Sequence, residues 1–310
     1  MSLQSTSVDA ELAAPTPRRR NKVKRKQTGW LFLAPFALLF TFVLIVPISY
    51  SAYLSVFKNA LVGGTSFVGF DNYVKLMADD NFWDAVRRVL LFTAVQVPIM
   101  LLSAALIALA LDSRRLRGTN FARISVFLPY AVPAIVSTLI WGFMLGVRYG
   151  LFKSFNEGLG TSIDPFTPPL TLVSIGVMIT WAFTGYNVLI FYSALKAIPH
   201  DLYEAASIDG AKQRQIIRFV KLPALRGSIT ITVIFSIIGT FQMFNEPQIL
   251  PAIVSNSGIT THYTPNMYAY QLAFTGSEHG YAAALALVMA LITVVLAYAV
   301  QLWGMRRALD

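Results

Sequence analysis

The residues able to carry chemistry are few and far apart. Histidine occurs three times, at His200, His262 and His279, and the three share no metal-binding spacing such as H-E-x-x-H. Cysteine is absent, which removes disulfides, thiolate zinc sites and thiol nucleophiles. Neither a G-x-x-x-x-G-K-[ST] phosphate loop nor a G-x-S-x-G nucleophile elbow is present. The acids are scattered: Glu246 and Glu278 fall toward one face of the molecule, and Asp201, Glu204 and Asp209 toward the other. No pair is set by its spacing for acid–base work. An intramembrane enzyme has no constellation behind it, and no metal or other cofactor is expected in this chain.

What remains is binding chemistry. "TWAFTGYN" carries Trp181, Tyr186 and Asn187, and "FQMFNE" carries Phe241, Gln242, Asn245 and Glu246. Tyr130 and Trp141 lie in an apolar run before them. Aromatic faces and planar amides that form paired hydrogen bonds are what a sugar needs in a mostly apolar cavity. Each also has a plainer explanation. The aromatics suit packing or an interfacial belt, and the amides suit hydrogen bonds between helices.

These groups sit inside long apolar runs. Of the 310 residues 55% are apolar and only 13% charged, with a mean hydropathy of +0.59. Soluble domains carry about 25% charge. Six spans of the roughly 20 residues that cross a bilayer are expected: Trp30–Phe57, Val89–Leu111, Ile124–Val147, Leu170–Leu195, Ile229–Val254 and Ala282–Gly304. Gln242, Asn245, Glu246 and Pro247 interrupt the fifth, and such a break must face protein or a water-filled cavity. Pro35, Pro47, Pro129 and Pro133 are expected to kink their spans, and Gly176 and Gly185 to let helices approach closely.

Residues 1–29 read as a disordered tail ending in the basic run "RRRNKVKRK", Arg18 to Lys26. Counting Lys and Arg outside the spans places both termini in the cytoplasm. That side holds the tail, Arg114, Arg115, Arg117 and Arg123, the loop from Lys196 to Arg226, and Arg306 and Arg307. The other holds Lys58, Lys75, Arg87, Arg88, Arg148 and Lys153. The net charge of +10 is thereby topogenic, set against anionic lipid, and nucleic acid is not expected as a partner.

The loop between the fourth and fifth spans, residues 196–227, is polar and contains "DLYEAASIDGAKQRQIIRFVKLPAL". Asp201 and Glu204 have the spacing of an N-terminal cap, so a short helix is expected to about Ile208. Gly210 is the expected left-handed stop. A second helix, Ala211 to Lys221, pairs an apolar stripe (Ile216, Ile217, Val220) with a basic stripe (Arg214, Arg218, Lys221), and Leu222-Pro223 ends it. The physics alone allows an interfacial linker or a docking knob for a cytoplasmic partner.

"EAASIDGAKQRQIIRFVKLP" resembles the EAA loop of permease subunits of binding-protein-dependent ABC importers: Glu204, Ala205, Ala206, Gly210, Leu222 and Pro223 stand in the motif's places. "FVGFDNYVKL", "LPYAVPAIVSTLIWGFM" and "LAPFALLFTFVLIVPISYSAYLSVF" extend the likeness to the maltose-type, carbohydrate-uptake group. Arg87-Arg88-Val89 departs from it, because many relatives carry Asn-Thr there. The resemblance implies an all-α membrane protein with the type I ABC importer permease fold. It implies a heterodimer with a second permease, two ATPase subunits that bind ATP and Mg, and an extracytoplasmic solute-binding protein in a bacterial inner membrane. It assigns docking to Glu204, Ala205, Ala206, Asp209 and Gly210. The alternatives are a permease of the same kind for a non-sugar solute such as a glycerol-phosphate ester, or an ion-coupled carrier or channel.

Overall fold

The computed structural model describes residues 24–60, 64–113, 118–168, 170–254 and 257–309. Most of the expected tail, and Arg114, Arg115 and Arg117 of the basic loop, lie outside these. The chain divides after Tyr50 into two units. In the first, α1 (Lys24–Phe40) passes through a π-helical turn at Thr41–Ile45 into α2 (Val46–Ser55). Residues 24–29, read from the sequence as tail, are thus helical. The wider π turn lies just ahead of Pro47, where proline supplies no backbone donor. Nearly every side chain from Trp30 to Tyr50 is apolar or uncharged and exposed, which suits lipid.

The second unit begins with the end of α2 and an antiparallel hairpin, β1 (Phe57–Ala60) and β2 (Gly64–Phe67), with Phe57 opposite Phe67. This hairpin amends the all-helical expectation. In α3 (Asp71–Met77), buried Asn72 donates to the carbonyls of Ser55 and Phe57 at 2.7 and 3.0 Å. It thereby satisfies carbonyls that the end of a helix leaves free.

Helix α4 (Asp80–Leu111) starts well before the Val89 expected. Asp79 caps it, accepting from the amides of Asn81 and Phe82. The same carboxylate accepts from the hydroxyls of Tyr268 and Tyr281 at 2.7 and 2.5 Å. Burial works against its charge, but the bonds from Tyr281 and Tyr268 and from the two amides outweigh it and hold Asp79 below the usual aspartate range. Arg88, the departure noted in the sequence, donates to the Tyr263 carbonyl at 2.8 Å and lies 4.5 Å from that ring's centre.

The third span, expected as one run kinked at Pro129 and Pro133, is broken more sharply than a kink. Helix α5 (Thr119–Phe127) and a 3-10 turn (Leu128–Ala131) meet α6 (Ala134–Met144) at 101°. Val132 is extended at ψ 126° because Pro133 bars it from the helical region. After the short amphipathic α7 (Leu151–Leu159), α8 (Leu170–Lys196) crosses in one piece. The fifth span also differs: α12 (Arg226–Phe241) ends before the polar residues, and α13 (Asn245–Ile253) resumes after a break. Helix α14 (Pro265–Tyr270) and a π turn lead to α15 (His279–Leu309). Among the described residues four helices are long and apolar enough to cross a membrane, or up to six when each bent pair counts as one span.

Apolar contact gains little transfer free energy among lipid tails, so close packing and internal hydrogen bonds must hold the spans together. Both are present where α4 meets α8. A Cβ on Gly176 would meet Gln96 Oε1 at 2.7 Å; where α8 meets α5, one on Gly185 would overlap the backbone oxygen of Val126. Buried Gln96 donates to the Gly176 carbonyl at 2.9 Å and to Thr180. The hydroxyls of Thr93 and Thr240 join α4 to α12 at 2.8 Å. One buried cluster centres on Phe82, Phe92, Ile175, Met178 and Leu285, and a second on Met100, Ala104, Phe191, Leu195 and Leu225.

Candidate functional site

The polar loop folds as a compact turn between spans. Helix α9 (His200–Ile208) follows Pro199 directly, without a side-chain cap. Asp201 therefore lies in the first turn rather than capping it, and Glu204 faces His200 Nδ1 at 3.0 Å. The helix ends in a complete Schellman motif: Ala211 N–H bonds the Ala206 carbonyl at 2.9 Å, and Gly210 N–H bonds that of Ser207 at 3.1 Å. Gly210 has φ +72°, the left-handed conformation that glycine alone adopts without strain. Glu204, Ala205, Asp209 and Gly210 are exposed and Ala206 half-buried. Ile208 is 86% exposed, an apolar side chain held out at the tip of the turn.

Beyond the turn, α10 (Gln213–Ile216) passes into a π-helical stretch, Ile217–Lys221, and then α11 (Leu222–Ala224). Leu222-Pro223 does not end the helix as expected; the chain bends by 57° after Ala224. The π stretch also corrects the basic stripe. Its extra residue rotates the register, so Arg214 and Arg218 stay exposed while Lys221 turns inward with a side chain only 5% exposed.

Lys221 meets a residue that the sequence reading missed. Asp112 follows α4, and its carboxylate is 7% exposed. Oδ2 accepts from Lys221 Nζ at 2.7 Å, and Oδ1 lies 2.9 Å from Lys196 Nζ. Burial raises the cost of its charge, yet the hydrogen bonds from Lys221 and Lys196 outweigh this and keep its carboxyl below the usual aspartate range. The one signal available was an acid just past a helix C-terminus, where the helix dipole disfavours it.

The proposed solute-binding residues divide into two groups. On α8, Tyr186 stacks on Tyr130 of the 3-10 turn at 5.1 Å, and Trp181 meets Trp141 edge to face at 5.9 Å. Trp141 Nε1 and Thr184 Oγ1 are buried with no hydrogen-bond partner among the described residues. Asn187 is 2% exposed, and its side-chain amide donates to the Phe183 carbonyl of its own helix at 3.1 Å. At the break between α12 and α13, Gln242 and Asn245 are exposed and Glu246 is half-buried. Among the described residues no hydrogen bond or ring contact joins this second group to Trp181 or Tyr186. No cluster of three or more acids, histidines or cysteines forms a metal site among them either.

The two bent spans break beside aromatic and amide groups, and an exposed polar turn joins α8 to α10. Residues 101–307 match the model of the family described as the binding-protein-dependent transport system inner membrane component, and the chain belongs to that family. It is a multi-pass permease subunit of an ABC importer. It is 34% identical over 91% of its length to 83% of the diacetylchitobiose uptake system permease protein NgcF of Streptomyces coelicolor. It is 31% identical over 92% of its length to 96% of the lactose transport system permease protein LacF of Rhizobium radiobacter. The fold matches a chain from a bacterial ABC transporter involved in the import of the acidic polysaccharide alginate, with a TM-score of 0.78. That match covers 92% of this chain and 97% of the other at 20% identity.

Proposed function

We propose that this chain forms half of the translocation pathway for a di- or oligosaccharide in a bacterial cytoplasmic membrane. The observation that carries the carbohydrate reading is the pair of relatives at 34% and 31% identity, named for diacetylchitobiose and lactose transport, each matched across nine-tenths of this chain. A second, similar permease completes the pathway as a heterodimer, and an extracytoplasmic binding protein delivers the sugar. Both termini and the docking turn face the cytoplasm, following the Lys and Arg distribution.

Two ATPase subunits bind the ATP and Mg. One of them receives Glu204, Ala205, Ala206, Asp209 and Gly210, with Ile208 entering its groove as an apolar knob. When the ATPases close, they move the turn, and the spans attached to it change which side of the membrane the cavity faces. The sugar lies against Tyr186, Trp181 and Tyr130. Gln242, Asn245 and Glu246 bond its hydroxyls, while Asn187 shapes α8 from within.

Uptake of radiolabelled oligosaccharide by cells carrying Gln242→Ala or Asn245→Ala tests the lining. Loss of one hydrogen bond, worth about 0.5–1.5 kcal/mol, lowers uptake roughly two- to tenfold at low solute concentration. The complex still assembles. Unchanged uptake in both variants contradicts the assignment.

A further inference from the structure

We propose that Asp112 is a positioning residue that transmits movement of the docking turn to the spans, because its single carboxylate holds both ends of the segment that carries the turn. Lys196 is the last residue of α8 and Lys221 the last of the π-helical stretch before α11. The whole docking segment lies between them in sequence, and both ammonium groups converge on the end of α4, at 2.9 and 2.7 Å. The docking helix itself joins this node, since Lys221 Nζ lies 5.6 Å from the centre of the Tyr203 ring, one residue before Glu204. A push on the turn therefore reaches three spans through one ion cluster: α8 through Lys196, α12 through Lys221, and α4 through Asp112.

Stability alone is a poor explanation for this arrangement. An acid beyond a helix C-terminus opposes the helix dipole, and a buried ion pair commonly gains no more than well-packed apolar residues of the same volume would. What the pair adds is a defined position. Two bonds of fixed geometry set where the segment enters and leaves the membrane region. The π turn, by rotating Lys221 inward, is the local feature that makes the second bond possible.

This inference rests on the importer reading above. The test compares the wild-type complex, in proteoliposomes with ATP and loaded binding protein, with Asp112→Asn and with the double variant Asp112→Asn/Lys221→Met. The double variant leaves no buried charge unpaired, and Lys196 is already more than half exposed, so it separates folding from transmission. The double variant is expected to assemble and to hydrolyse ATP on stimulation. Its ATP hydrolysed per sugar carried should rise at least about fivefold, the low end of coupling between separate sites. A wild-type ratio of ATP to sugar in the double variant would overturn the proposal. So would its failure to assemble, since a role in folding would then suffice. Absence of ATP-dependent uptake in the wild-type complex would instead overturn the importer reading.

Discussion

Gly210 shapes the turn proposed to dock the ATPase, and replacing it tests whether that shape matters. The residue has φ +72°, and no atom lies within 4 Å of where a Cβ would be placed. A substitution there meets no steric obstacle; its whole cost is backbone strain. For an alanine in the left-handed region that cost is about 1–2 kcal/mol. Asparagine tolerates the region and should cost less, and valine, branched at Cβ, should cost more. If the turn relaxes to escape the strain, it loses the Ala211 and Gly210 bonds that close α9 and re-aims Ile208. One to two kcal/mol limits the weakening of ATPase docking to roughly 5- to 30-fold for alanine. Affinity of the purified ATPase subunit for the permease complex, and uptake in proteoliposomes, should both fall in the order Asn, Ala, Val. Total expression should change little, because the site is exposed. Wild-type affinity and uptake in both Gly210→Ala and Gly210→Val would refute the claim that this turn is the docking surface.

Other consequences are open to measurement. Asp79 is held below the ordinary aspartate value of 3.8, so its stabilising contribution is present above that value and is lost as pH falls through its lower folded value. The thermal midpoint in detergent should therefore hold from neutral pH to about pH 5 and drop below about pH 4, with a shallower drop in Asp79→Asn. Identical acid profiles for the two proteins would contradict this. Tyr281→Phe removes a bond to that charged acceptor and should cost about 1.5 kcal/mol of stability, the low end for such bonds because Asp79 is partly exposed; an unchanged midpoint would show that the bond is idle. Gly185→Ala places a methyl against the Val126 backbone and should cost about 1–3 kcal/mol by overpacking. A midpoint equal to wild type would mean that α5 and α8 lie further apart than described.

The parts of the fold legible in the sequence were those set by local rules. The turn at Gly210 was readable because Glu204 to Gly210 lie within one short helix and its cap, and glycine meets the backbone requirement at the stop without strain. Gly185 was readable because a residue without a side chain in a long apolar helix implies a close neighbour. The break in the third span was half-written: Pro133 signalled a kink, but a 101° bend depends on what α6 packs against. The start of α4 was missed because its first turns stay helical while carrying Asp80, Asp84, Arg87 and Arg88, which a hydropathy scan excludes. Lys221 was read as an exposed basic residue because its partner stands 109 residues away and the π turn that points it inward leaves no local sign. The bond from the Asn187 amide to the Phe183 carbonyl one turn back left no sign in the sequence, because spacing does not say which way an amide points.

On the proposed reading this chain carries sugar only when driven by ATPase subunits docked on the turn around Gly210. ATP-dependent accumulation of radiolabelled disaccharide, measured in proteoliposomes assembled with and without each partner, tests it most directly. Accumulation is expected only when the second permease, the ATPases and the binding protein are all present with ATP, and it should be lost when the ATPases are omitted. Accumulation by this chain without ATPase subunits, or driven by an imposed ion gradient, would contradict it.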